Sequence, residues 1–288
     1  MNILVTGCYG QLGRELHKLA NCDGDHQWFF TDVDTLDITS PDAVERCFNE
    51  HHIGVCINCA AYTAVDLAED EPETAARINA LAPQLLAQTC LKHQALLIHV
   101  STDYVFDGNG TMPYKESDPI NPQSVYGSTK AEGERLIRET GCNYIIVRTA
   151  WLYSSSGKNF VKTMLRLAET HDEIHVVSDQ RGCPTWAHDL AIALLSILNK
   201  KEDLPLQETF HFTNEGNITW YDFACAIMDL AGKNCKVNPI TTDQYPAKAH
   251  RPAYSVLDLS KIKTYTGMEI PFWKDSLKNC IEEISKNV

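Results

Sequence analysis

Tyr126 and Lys130 stand four residues apart in the run Tyr126-Gly127-Ser128-Thr129-Lys130. On a helix this spacing puts both side chains on one face, a turn apart. A free phenol titrates near ~10, too high to exchange protons readily at neutral pH. A lysine cation nearby favours the phenolate and lowers that value. The pair then suits general acid–base work on a carbonyl or an alcohol. The same residues also read as a solvated lysine beside a half-buried tyrosine, so the remainder of the chain must decide.

A second group lies at the start of the chain. Gly7-Cys8-Tyr9-Gly10-Gln11-Leu12-Gly13 follows the apolar run 2–6 and precedes a helical pattern reaching Leu19. Glycines let a backbone turn tightly and approach a pyrophosphate that the helix N-terminus faces. The triplet has one more residue between its first two glycines than the usual dinucleotide fingerprint. Asp32 ends the next apolar run, 27–31, where a carboxylate accepts hydrogen bonds from an adenosine ribose. Gly7, Gly10, Gly13 and Asp32 thus predict a dinucleotide site. A carboxylate repels a 2′-phosphate, and no arginine adjoins Asp32 in the sequence. NADH is therefore favoured over NADPH, with dual use left open.

The 288 residues suffice for one large domain, or a large and a small one. At 44 % hydrophobic and 22 % charged the composition is that of an ordinary globular protein. A formal net charge of −13 argues against binding nucleic acid or an anionic membrane, since both need surplus Lys and Arg. No stretch is long enough to cross a bilayer. Eleven cysteines lack framework spacing, and residues 1–6 do not resemble an export leader, so reduced thiols and a cytoplasmic location are expected. Cys56 and Cys59 have redox or zinc spacing. They fall in an apolar run without a helix N-terminus or a second ligand pair, and read as core cysteines.

Apolar runs at 2–6, 27–31, 55–59, 95–100 and 144–147 predict strands. Helical patterns lie between them, one starting at Pro41, one over 74–93 and one carrying Tyr126 and Lys130. The alternation predicts an α/β fold, a Rossmann-type doubly wound parallel sheet covered on both faces. Beyond Trp151 the periodicity is less regular. Helices are expected over 159–170, 188–199, 221–231 and 273–286, with strands at 174–177 and 210–213. Residues 1–150, joined by 174–209, are assigned to a dinucleotide-binding domain. Residues 151–173 and 210–288 are assigned to a smaller C-terminal substrate-binding lobe over the sheet's carboxyl edge, where ligands of open α/β sheets bind.

Further segments extend the pattern: Asn58-Cys59-Ala60-Ala61-Tyr62-Thr63, Ser101-Thr102-Asp103-Tyr104-Val105-Phe106, Arg148-Thr149-Ala150-Trp151, Asp179-Gln180-Arg181-Gly182-Cys183-Pro184-Thr185 and Arg251-Pro252. With the glycine triplet and the Tyr126/Lys130 run, they resemble the extended short-chain dehydrogenase/reductase superfamily and, within it, the dTDP-4-dehydrorhamnose reductase family. The resemblance implies NAD(P)H-dependent reduction of the C4 ketone of dTDP-4-dehydro-L-rhamnose to dTDP-L-rhamnose. Tyr126 would donate the proton, Lys130 would bond the nicotinamide ribose, and Thr102 would orient the carbonyl oxygen. It further implies cofactor contacts from Gly10, Gln11, Leu12, Asp37, Ile38, Ala61, Tyr62 and Thr63. Substrate contacts are implied for Asp103 and Trp151, with Arg251 as a phosphate partner.

Some reductases of the family are dimers with magnesium between carboxylates, so the resemblance allows a homodimer. Glu15 can supply one such group. His188 stands where a glutamate is expected, and imidazole is a poor magnesium ligand, so no metal site is assigned. A nucleotide-sugar dehydratase shares the fold but needs a second carboxylate after Asp103, where this chain has Tyr104. The regulatory subunit of methionine adenosyltransferase, which acts by binding a partner enzyme, resembles the same family. An intact Thr102, Tyr126 and Lys130 favours catalysis.

Overall fold

A computed structural model describes residues 1–201 and 205–286. Its first five strands are β1 (Asn2–Thr6), β2 (Gln27–Thr31), β3 (Val55–Asn58), β4 (Leu96–Thr102) and β5 (Asn143–Thr149). The later strands of the described residues are β6 (Leu152–Tyr153), β7 (Glu173–Val177), β8 (Arg181–Gly182), β9 (Thr185–Trp186), β10 (Glu208–His211), β11 (Ile218–Thr219) and β12 (Lys236–Ile240). The large sheet has six parallel strands in the order β10-β5-β4-β3-β1-β2. This is the doubly wound architecture expected from the alternation.

Side chains of a strand alternate between faces, and both faces of this sheet are covered. On one face Ile3, Val5, Ile57 and Val147 pack against Leu12 and Leu16 of α1 (Gln11–Ala20), with Leu190 and Leu194 of α8 (Ala187–Asn199). On the other, Leu4, Cys56, Leu97 and Ile146 pack against Phe48 of α2 (Pro41–His51) and Leu86 of α5 (Ala82–Lys92). They also meet Ile137 of α6 (Val125–Thr140). Each such side chain contributes roughly 1.5–3 kcal/mol of burial.

Two elements differ from the expected division. β10, placed by the sequence in the C-terminal lobe, is the edge strand of the large sheet, with Phe210 opposite Val147. β7, expected with the dinucleotide-binding part, pairs instead with β12 in a separate two-stranded sheet. Burial decides this. Phe210 lies in the core of the large sheet. Ile174 and Val176 share a second core with Phe223 and Ile227 of α9 (Trp220–Leu230) and Leu277 of α11 (Trp273–Lys286). A run of four or five residues does not carry the identity of its partner strand. The expected boundaries also span 202–204 and 287–288, which lie outside the described residues.

The helix expected over 74–93 is divided into α4 (Pro72–Ala76), a π-helical turn at Arg77–Leu81, and α5. Pro83, near the start of α5, has no amide hydrogen to return to the Asn79 carbonyl, and a widened turn accommodates the loss. No helix among the described residues is long and apolar enough to cross a membrane. Parallel strands put all their carboxyl ends at one edge, so Gly7, Asp32, Asn58 and Thr102 meet there.

Candidate active site

The turn after β1 is built for close backbone approach. Gly7 has φ +69°, and a Cβ there would lie 2.7 Å from the Ala60 amide nitrogen. Gly10 is the N-cap of α1 with no side chain capping the free amides, which leaves them open to an anion. These residues fit a dinucleotide pyrophosphate. A cleft of about 600 Å³ begins here, lined by Gly10, Gln11, Leu12, Gly13, Ala61 and Thr63, and runs to Thr102, Tyr126 and Lys130. Gln11 also ties the turn to the lobe, since its Oε1 accepts from Asn159 Nδ2 at 2.9 Å.

An adjoining cleft of about 360 Å³ shares Gly7, Gly10 and Ala61 and contains Asp32, Asp37, Ile38 and Arg77. Asp32 Oδ2 accepts from the Tyr9 amide at 2.8 Å, and Oδ1 from the Val33 amide at 2.9 Å. The Thr39 hydroxyl and amide hold the Asp37 carboxyl below its ordinary range. Arg77, absent from the sequence expectation, lines this cleft with Asp32, and its charge adds to the lowering of Asp37. It forms no ion pair among the described residues, and the π-helical turn brings it to the cleft. The same turn holds Asn79, whose side chain bonds the Tyr62 backbone at both amide and carbonyl. Tyr62 itself lines neither cleft, and its hydroxyl donates to Glu71.

At the other end, Ser124 caps α6 by accepting from the Gly127 amide. A Cβ on Gly127 would meet the Tyr104 carbonyl at 2.3 Å, so glycine lets α6 lie against the Thr102 turn. Tyr126 and Lys130 thereby face the end of β4. The Thr102 hydroxyl donates to Asp103 Oδ1 at 2.9 Å and accepts from the Tyr104 amide at 3.2 Å, and it lines the same cleft as Tyr126. Burial raises the Asp103 carboxyl to about 6, and its buried Oδ2 has no partner.

Burial holds the Tyr126 phenol well above its ordinary value; the Thr102 hydroxyl opposes this, while Asp103 and Tyr104 add to it. The expected lysine effect on the phenol is not what this geometry provides. Lys130 Nζ donates to the Val100 carbonyl at 2.7 Å and lies 3.2 Å from His99 Nε2, turned toward β4. Burial lowers Lys130 to about 8, against the raising influence of Glu134 and Cys59.

The lobe contributes two stacked indoles. Trp151, at φ +49°, lies 3.6 Å from Trp220 with planes 13° apart, and both line the cleft. Trp220 was missed in the sequence because nothing local links it to Trp151; only the packing of α9 does. Arg251 sits behind Tyr104. It donates to Asp66 Oδ2 at 2.5 Å and to the Tyr104 hydroxyl at 3.1 Å, and it does not line the cleft. Glu15 is buried, with its oxygens facing Lys18 at 2.8 Å and His188 at 3.3 Å. Those two nitrogen partners do not fit magnesium. All eleven cysteines are free.

The family described as RmlD substrate binding domain matches residues 1–286. A dTDP-4-dehydrorhamnose reductase from Aggregatibacter actinomycetemcomitans is 45 % identical, over 96 % of this chain and 97 % of its own. The crystal structure of a dTDP-4-dehydrorhamnose reductase from Clostridium acetobutylicum superposes with TM-score 0.94 at 46 % identity, covering 99 % of this chain and 100 % of its own. Another, from Bacillus anthracis in complex with NADP, superposes with TM-score 0.92 at 36 % identity, covering 98 % and 99 %. Matched from end to end in both sequence and fold, this chain belongs to the RmlD substrate binding domain family.

Proposed function

We propose that this protein is an NAD(P)H-dependent reductase of the C4 ketone of dTDP-4-dehydro-L-rhamnose, forming dTDP-L-rhamnose. The observation that carries this reading is the cleft joining the glycine turn to Thr102, Tyr126 and Lys130. Full-length similarity to reductases named for that substrate supports the choice of sugar.

The bound nicotinamide cofactor supplies a hydride. Gly7, Gly10, Gln11, Leu12 and Gly13 hold the pyrophosphate by backbone approach. Asp32 receives the adenosine ribose, while Asp37, Ile38, Ala61 and Thr63 complete the walls. Arg77 adds a guanidinium suited to a 2′-phosphate, so the site serves both NADH and NADPH. Tyr126 gives its hydroxyl proton to the oxygen forming at C4, and burial suits this by keeping the phenol protonated before the transfer. Lys130 bonds the nicotinamide ribose. The one Thr102 proton, now directed to Asp103, turns to the ketone oxygen when substrate displaces that contact. Asp103 and the Trp151–Trp220 stack bind the nucleotide sugar. Arg251 reaches a phosphate by exchanging Asp66 for it.

The test is to supply dTDP-4-dehydro-L-rhamnose with NADH or with NADPH and follow loss of reduced-nicotinamide absorbance. Consumption with product formation is expected. Cofactor binding without turnover on either would overturn the reading and point to a non-catalytic role.

A further inference from the structure

Gln11 opens α1, and its side chain ties that helix to the lobe at two points. Its Oε1 accepts from Asn159 Nδ2 at 2.9 Å, and its Nε2 donates to the Leu152 carbonyl at 3.4 Å. The loop from Leu152 to Asn159 is thus held at both ends against the first turn of α1. Asn159 also closes the loop on itself, donating to the Ser154 carbonyl at 2.8 Å. Its Oδ1 accepts from the Lys162 amide at 3.1 Å and caps α7 (Phe160–Leu167). Gly157, at φ +70°, turns the chain back, and a Cβ there would lie 3.4 Å from Gln11 Cγ. Lys158 follows. It is exposed, and it lines the same cleft as Gly10, Gln11 and Leu12.

The charge around this cleft favours a cation at that place. A dinucleotide carries a doubly negative diphosphate, which a chain of net charge −13 repels at long range. Among the described residues the cations lining the cleft are Lys130 and Lys158, and Lys130 is turned to Val100 and His99. Arg77 lines only the adjoining cleft. Lys158 makes no hydrogen bond or ion pair among the described residues, so it gives up no contact within the protein on meeting a ligand. We propose that Lys158 is a ligand of the cofactor's diphosphate. The free amides of the glycine turn meet that group from the sheet side, and the Lys158 ammonium meets it from the lobe as a mobile point charge. This deepens the proposed dinucleotide site and rests on it. The contact does not involve the 2′-phosphate, so it serves NADH and NADPH alike. A nucleotide sugar brings a second diphosphate to the same cleft; the tie of the Lys158 loop to α1 assigns the ammonium to the cofactor's.

The experiment is calorimetric titration of the full-length protein, as wild type, Lys158→Met and Lys158→Arg, with NADH, NADPH, ADP-ribose and dTDP. Methionine keeps an unbranched stem and drops the charge. ADP-ribose carries the cofactor's diphosphate without the nicotinamide, and dTDP carries that of the nucleotide sugar. Lys158→Met should weaken NADH, NADPH and ADP-ribose alike, by about 3–10-fold, as expected for one solvent-reached charge contact. The gap from wild type should narrow as sodium chloride is raised, and Lys158→Arg should restore the affinity. Unchanged ADP-ribose binding in Lys158→Met overturns the proposal. A loss confined to NADPH overturns it by placing the ammonium on the 2′-phosphate, and a loss confined to dTDP by placing it on the sugar's diphosphate. A loss that salt does not screen and arginine does not restore is a change of loop shape and overturns it too. Binding needs no turnover, so a protein that gives the expected titrations yet reduces no keto sugar refutes the proposed substrate and not this inference. A wild type that binds none of NADH, NADPH and ADP-ribose refutes both.

Discussion

Arg148 grips Glu134 with two prongs inside the protein. Nε meets Oε1 at 2.9 Å and Nη2 meets Oε2 at 2.7 Å, and neither side chain reaches solvent. Ser101 donates to Oε1 and Arg138 to Oε2. The pair bolts α6 to β5, and Ser101 joins it to β4. Tyr126 and Lys130 are thereby set against Thr102 by a contact one turn and more away from the chemistry.

Glu134→Gln should therefore destabilise the protein by about 3–5 kcal/mol, the usual cost of stranding one member of a buried ion pair. Urea unfolding measures it, and a loss under about 1 kcal/mol would mean the pair is incidental. Despite burial, the arginines hold the Glu134 carboxyl down at about 2. A depressed carboxylate stabilises the fold above its ordinary value. That stability is lost as pH falls from about 4.5 toward about 2. The acid-unfolding curve of Glu134→Gln should be flatter in that window.

Asp103 has the opposite sign. Its carboxyl is raised from 3.8 to about 6, so between those values the folded protein holds a proton that the unfolded chain releases. Stability falls as pH rises through that window and stays lower above it, by roughly 2–3 kcal/mol. Asp103→Asn should raise the melting temperature at pH near 8 and do little below pH 4, while raising KM for the nucleotide sugar. No gain in melting temperature at the higher pH would show that the carboxylate is better solvated than its burial implies.

Tyr126→Phe removes the proton donor and leaves the ring packed edge-on against Tyr104. Turnover should fall by ~10²–10⁴-fold, with cofactor affinity nearly unchanged in a fluorescence titration. A variant that keeps its kcat would place the proton donor elsewhere.

Arg77 bears on the choice of cofactor. Arg77→Ala should weaken NADPH by ~10–100-fold, the worth of charged hydrogen bonds to a phosphate, and leave NADH nearly untouched. Asp32→Ala should act chiefly on NADH. Equal losses for both cofactors in the Arg77 variant would mean that the arginine touches something other than the 2′-phosphate.

The amino-acid sequence by itself determined the alternating strands and helices, the glycine turn, and the Tyr126/Lys130 face, because each is local: a periodicity, a φ requirement, a spacing on one helix. What it left open was non-local. β7 and β10 are both short runs that mix polar and apolar residues, and only their packing partners send one to the lobe and the other to the large sheet. Arg77 is far from Asp32 along the chain, and a π-helical turn on a neighbouring element delivers it; Pro83 was the faint local sign. Trp220 joins Trp151 through the packing of α9. Most of all, the spacing of Tyr126 and Lys130 did not say where the lysine nitrogen points. Tertiary structure turned it to Val100 and His99, because the contacts of a buried group depend on what surrounds it in all directions and not on the residue four places before it.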